Sequence, residues 1–261
     1  DFGIKYNCEN GGPAPEKLTN LIFENTKTIT SYKTCHSFPE VDVKGLGAVE
    51  VKTEGDSSRS VTVDVVSATE QHVALLKTIF DFSAIKALLE RKDFTMVYDS
   101  MHGVQGPYAK AVFVDELGAD PSCLTNAIPK DNFGGQHADP NLTYAKDLVR
   151  KMGLTSKGLP LKEAEGETVP SFGAAADGDA DRNMILGDRF FVTPSDSVAI
   201  IAAHANCIPY FSSKGGLKGV ARSMPTSGAL DLVAAELRLR FFETPTGWKF
   251  FGNLMDSKEL G

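Results

Sequence analysis

Three carboxylates stand within five residues in Ala176-Asp177-Gly178-Asp179-Ala180-Asp181-Arg182-Asn183, and apolar segments flank them on both sides. Residues 172–176 and 184–186 each read as a short buried strand, so the acidic segment is an extended turn joining two strands. Alternate positions of such a turn can aim their oxygens at one centre, while Gly178 and Ala180 keep the intervening backbone out of the way. Hard carboxylate oxygens suit Mg²⁺, which usually keeps open positions for water or a substrate phosphate.

Three other readings compete. An EF-hand also opens Asp-x-Asp-x-Asp, but it needs Gly where this chain has Arg182 and Glu where Asp188 stands. An aspartyl phosphatase of the Asp-x-Asp type normally continues with Thr or Val, and here Asp181 occupies that place. A solvated acidic turn sits poorly with such apolar flanks.

Around this loop the chain repeats strand, loop and helix. Helical spacing runs through residues 16–32 and 69–90, and strand alternation through 41–43 and 61–65, with a polar loop at 53–60. A strand at 94–98, a helix at 107–117, a strand at 123–128 and a helix at 142–152 follow, then an exposed insertion at 153–171. Beyond the acidic loop, Ser195 is expected to cap a helix over 196–210, ahead of a strand at 219–222, a helix at 228–236 and a strand at 239–243. That order predicts an α/β class, with consecutive layered domains. The echo between Asp99-Ser100-Met101-His102-Gly103 and Arg222-Ser223-Met224-Pro225-Thr226-Ser227-Gly228 suggests an internal duplication.

The 261 residues suffice for about two domains with real cores. A formal charge of -7 argues against nucleic acid or an anionic membrane as partner, since both need a basic face. The four cysteines, Cys8, Cys35, Cys123 and Cys207, show no metal spacing and are expected as reduced thiols of a cytoplasmic protein. The longest apolar run, 198–208, is interrupted by His204 and Asn206 and falls short of the ~20 residues of a membrane span. The ends carry neither an initiator Met nor a tail, and the chain is expected to be an internal fragment.

Asp-Gly-Asp-x-Asp-Arg resembles the metal loop of the α-D-phosphohexomutases, and other segments agree. Phe2-Gly3-Ile4-Lys5-Tyr6-Asn7 with Asn10 to Glu16, Phe133-Gly134-Gly135 with His137, Asp139-Pro140-Asn141-Leu142-Thr143, Ser223 to Leu230, and Thr244-Pro245-Thr246-Gly247-Trp248-Lys249-Phe250-Phe251 are similar to the family in order. The likeness spans essentially the whole chain.

The resemblance implies α/β phosphohexomutase-type domains with mixed sheets flanked by helices: residues 1–68 ending a first, phosphoserine domain, 69–193 a second with the metal loop, and 194–261 most of a third, sugar-binding domain. It implies Asp177, Asp179 and Asp181 as Mg²⁺ ligands and Arg182 as a substrate-phosphate contact through paired hydrogen bonds. Lys5 matches a catalytic lysine near the phosphoserine, and Thr246 with Gly247 match a sugar-recognition loop beside Trp248, itself either a sugar platform or a core anchor. The implied activity is interconversion of glucose 1-phosphate and glucose 6-phosphate, with glucose 1,6-bisphosphate as intermediate and activator. Small sugar phosphates are the expected partners, and a monomer or weak dimer the expected state. The family's Thr-Ala-Ser-His-Asn-Pro loop does not occur here, so the chain by itself is expected to be inactive. The alternative is a mutase-like binding or secretion-associated protein that keeps the fold without turnover.

Overall fold

The computed structural model describes residues 6–9, 11–34, 38–52 and 60–259. They fall into two compact units, one of residues up to Ala68 and from Glu243 onward, the other of Thr69–Phe242.

In the first unit, α1 (Glu16–Thr26) stops six residues short of the expected helix. Thr26 and Thr28 each turn a hydroxyl back onto a carbonyl three residues earlier, at 2.7 and 3.0 Å, and such local bonds compete with helix continuation. The expected strand at 41–43 is absent, because the Asp42 carboxylate accepts from Lys44 N at 2.9 Å and closes a turn there. Its place is taken by β1 (Gly47–Lys52), which pairs antiparallel with β2 (Ser60–Val65) in the register Val49↔Val63. Between Val49↔Val63 and Val51↔Val61, Thr62 donates to Glu50 across the strands.

The second unit opens on two helices where one was expected. α2 (Ala68–Ile79) and α3 (Phe82–Leu89) are separated at Asp81, whose side chain accepts from Ala84 N at 2.9 Å and starts a new helix. β3 (Met96–Asp99) leads to α4 (Gly106–Ala109), which continues as a π-helix over Lys110–Glu116. β4 (Leu124–Thr125) is shorter than its expected span, since the chain turns away at Asn126, with φ +50°. α5 (Lys146–Lys151) starts late because Asn141 Oδ1 accepts from the amides of Thr143 and Tyr144 and holds that stretch in a turn.

β5 (Phe172–Ala176), β6 (Asn183–Gly187) and β7 (Phe190–Val192) complete a five-stranded sheet of order β4-β3-β5-β6-β7. β4, β3 and β5 run parallel, whereas the short acidic turn forces β6 back antiparallel to β5, so the sheet is mixed as expected. Val97, Met101, Leu148, Val149, Met152, Ala175, Met184 and Leu186 form its core. Each fully buried aliphatic side chain there contributes about 1.5–3 kcal/mol. The run of small residues in β5 has a steric cause, since a Cβ on Gly173 would lie 2.7 Å from Met152 Sδ. Most of 153–171 is exposed, but Leu154 is buried in this core and bridges to Pro160.

α6 (Pro194–Ala203) follows Thr193, whose hydroxyl bonds Asp196, so Thr193 rather than Ser195 stands at the cap. The helix ends before His204, and a 3₁₀ turn with α7 (Pro209–Ser212) fills the rest of the expected span. β8 (Gly219–Ser223), α8 (Ala229–Glu236) and β9 (Arg240–Thr244) come within a residue of expectation, and β8 and β9 form a two-stranded sheet. α6 packs on α8 through Ala199, Ala202 and Leu230. A last helix, α9 (Lys249–Asp256), was not expected from the sequence. The two Ser-Met junctions both join a strand to a helix, but only the first places Met101 and His102 at positive φ.

Candidate metal centre

The end of β5 and the start of β6 fix both ends of the acidic loop. Asp177 N donates to Arg182 O at 3.2 Å, one step beyond the last strand pair Ala176↔Asn183. Ala180 adopts φ +61°, a left-handed conformation that its single methyl tolerates and that folds the loop back on itself. Ligand oxygens of Asp177, Asp179 and Asp181 then all lie within 4.8 Å of one another, with Asp177 buried and the other two exposed. This set of hard, converging oxygens with two faces open to solvent fits a divalent cation such as Mg²⁺.

Burial alone would push the Asp177 carboxyl up. The Arg182 amide at 3.1 Å, its guanidinium at 2.9 Å and a bond with Asp181 outweigh burial and hold the carboxyl below the ordinary carboxylate range. It is therefore ionised at neutral pH, as a cation ligand must be.

Arg182 spans two carboxylates, Nε to Asp177 and Nη1 to Asp139 at 2.9 Å, while its side chain stays 60% exposed. A paired grip on phosphate through Nε and Nη2 requires it to leave Asp177. Asp139 is thus a member of this site that sequence reasoning placed only within a resembling segment. Its signal was the Asp139-Pro140-Asn141 turn, in which Asn141 donates to Asp139 Oδ2 at 2.7 Å.

A second loop braces the first. Val104 N donates to Gly178 O at 2.9 Å, and Gly103 lacks a Cβ that would stand 2.7 Å from that oxygen. From the other side, the Phe133 ring closes on Gly178, where a Cβ would meet it at 2.8 Å. A cleft of about 480 Å³ opens alongside, lined among others by Tyr98, Gln105, Tyr108, Asp179 and Ala180. Burial raises the Tyr98 hydroxyl pKa, with Asp177 and Asp99 adding to the effect.

The remaining expected residues lie elsewhere. Thr246 and Gly247 belong to the first unit, in the turn before α9, with Gly247 at φ +125°, a conformation that favours glycine. Trp248 is 63% exposed, so the described residues do not bury it. Lys5 lies outside the described residues. Arg222, at the end of β8, is buried and paired with Asp231 at 2.5 and 2.8 Å.

Two profiles of one family cover most of the chain: residues 70–189 match phosphoglucomutase/phosphomannomutase α/β/α domain II, and residues 194–261 match its α/β/α domain III. The chain belongs to the phosphoglucomutase/phosphomannomutase family. Asp177, Asp179, Asp181 and Arg182 fall in its domain II match, and Thr246 and Gly247 in its domain III match. Relatives include a probable cytoplasmic phosphoglucomutase of Arabidopsis thaliana, 61% identical over 98% of this chain, and the cytoplasmic phosphoglucomutase of Mesembryanthemum crystallinum, 62% identical over 98%. The chain spans 42% of the length of each. Among solved structures, the exocytosis-sensitive phosphoprotein pp63/parafusin of Paramecium, a phosphoglucomutase in its open form, superposes with a TM-score of 0.82 at 46% identity, over 98% of this chain and 43% of that one.

Proposed function

We propose that the protein carrying this chain is a Mg²⁺-dependent phosphoglucomutase that interconverts glucose 1-phosphate and glucose 6-phosphate through a phosphoserine and glucose 1,6-bisphosphate. The carrying observation is the convergence of Asp177, Asp179 and Asp181 within 4.8 Å, in a chain about 60% identical to proteins named phosphoglucomutase. Residues 1–68, 69–193 and 194–261 are assigned to three successive domains of that enzyme, small sugar phosphates are its partners, and a monomer or weak dimer its state. Relatives named cytoplasmic support a cytoplasmic location. No helix among the described residues is long and apolar enough to cross a membrane.

Asp177, Asp179 and Asp181 would hold the cation, and Mg²⁺ bound there would neutralise charge on a transferring phosphoryl group. Arg182, braced by Asp177 and Asp139, keeps Nη2 uncommitted to either and can offer it to a substrate phosphate. The Thr246 hydroxyl and the Gly247 main chain are assigned to sugar hydroxyls, and Lys5 to proton transfer at the reacting hydroxyl.

The test is a coupled dehydrogenase assay for glucose 6-phosphate formed from glucose 1-phosphate. It uses the full-length protein, because the chain by itself holds no phosphoserine loop and is expected to be inactive. Asp179→Asn should lower turnover by at least about 100-fold, since one ligand charge is lost. Near wild-type rates at limiting Mg²⁺ would overturn the metal reading. A wild-type protein without turnover would favour a binding role instead.

A further inference from the structure

Gln105 stands at the N-terminal end of α4, buried at 7% exposure, and its amide is only half used. Nε2 donates to Ser100 O at 2.9 Å, which fixes the orientation of the amide and leaves Oε1 without a partner. Stability does not explain such a residue. Ser100 O already accepts from Gly103 N at 2.7 Å, so losing Nε2 would not orphan that carbonyl, while Oε1 carries an uncompensated desolvation. Residues that break a local rule in this way concentrate at functional positions.

The bond closes a ring. Main chain from Ser100 to Gln105 is pinned at one end, where Ser100 N donates to Thr125 O at 3.0 Å, and at the other by α4, where Ala109 N donates to Gln105 O at 2.9 Å. Inside the ring, Met101 and His102 are held at φ +46° and +56°, a double left-handed turn that side chains disfavour. That turn aims Val104 N at Gly178 O, the carbonyl between Asp177 and Asp179.

We propose that Gln105 is a positioning residue for the cation site: its side chain locks the 100–105 turn so that the Val104 amide fixes the loop carrying Asp177 and Asp179. This rests on the metal reading above. A preordered donor set binds more tightly because less freedom is lost on binding, and removing the lock lowers affinity without touching a ligand.

The experiment follows Mn²⁺, a carboxylate-preferring probe, by the electron paramagnetic resonance signal of the unbound ion, in the chain and in its Gln105→Met, Gln105→Leu and Asp177→Ala variants. Thermal melting is recorded in parallel. Gln105→Met keeps length and bulk, loses the donor and removes the orphaned acceptor. The expected result is a dissociation constant raised about three- to tenfold in both Gln105 variants, with a melting temperature equal to or above that of the unsubstituted chain for Gln105→Met. Unchanged affinity overturns the proposal, and so does an affinity loss that appears only together with a lower melting temperature. If Asp177→Ala binds Mn²⁺ as the unsubstituted chain does, the metal reading itself fails and this inference falls with it.

Discussion

Arg182 is the residue on which the site turns, because it holds Asp177 ionised from one side and ties it to Asp139 from the other. Lysine is a point donor and cannot span both carboxylates in a fixed plane. Arg182→Lys should therefore lower kcat/KM for glucose 1-phosphate in the full-length protein by about tenfold, and kinetics matching wild type would reduce Arg182 to a structural partner. The three aspartates were legible in the sequence because all of them sit in one five-residue stretch. Asp139 was not, because it lies 43 residues from Arg182 and only the fold brings the two together. Arg222 carries a separate acid dependence. Its hydrogen bonds hold the Asp231 carboxyl below the ordinary range. The folded value lies below the unfolded value of about 3.9, so the contribution is fully present above that pH and is lost as pH falls through the folded value. Asp231→Asn should lower the melting temperature at pH 7, with the gap from wild type closing below about pH 4. A gap constant from neutral to acid pH would contradict the pairing.

At the scale of elements, strands bounded by apolar runs were readable, and β5, β6 and β8 lie within a residue or so of their expected spans. Most helix ends were not, α8 being the exception. Asp81, Asn141 and Thr26 each redirect the backbone through a hydrogen bond to a neighbour, and periodicity of apolar residues is blind to such bonds. The strand β1 was missed for a related reason, since its faces are almost wholly exposed and the stretch lacks a clear apolar stripe. The contact between the 100–105 turn and the acidic loop likewise has no sequence signature beyond Gly103. A methyl at that position would meet Gly178 O at 2.7 Å and Gly178 Cα at 2.9 Å, both main-chain atoms that cannot swing aside. Gly103→Ala should cost about 1–3 kcal/mol, read as a lower denaturation midpoint. An unchanged midpoint would mean the two loops do not approach as closely as described.

For the molecule as a whole, the α/β class followed from the alternation of strands and helices, but the strand order did not. β5 lies beside β3 although more than 70 residues separate them, and the antiparallel return of β6 is what brings the acidic loop to the end of the sheet. The loop is thus fixed by strands at both ends and braced by the turn after β3, all within one compact unit. The proposed cation site would then bind without the rest of the protein, though weakly, since its oxygens are few and two of the three carboxylates are open to solvent. The decisive measurement is a calorimetric Mg²⁺ titration of the 261-residue chain beside its Asp177→Ala variant. One site of about millimolar affinity is expected in the chain and none in the variant. Identical titrations of the two would contradict it.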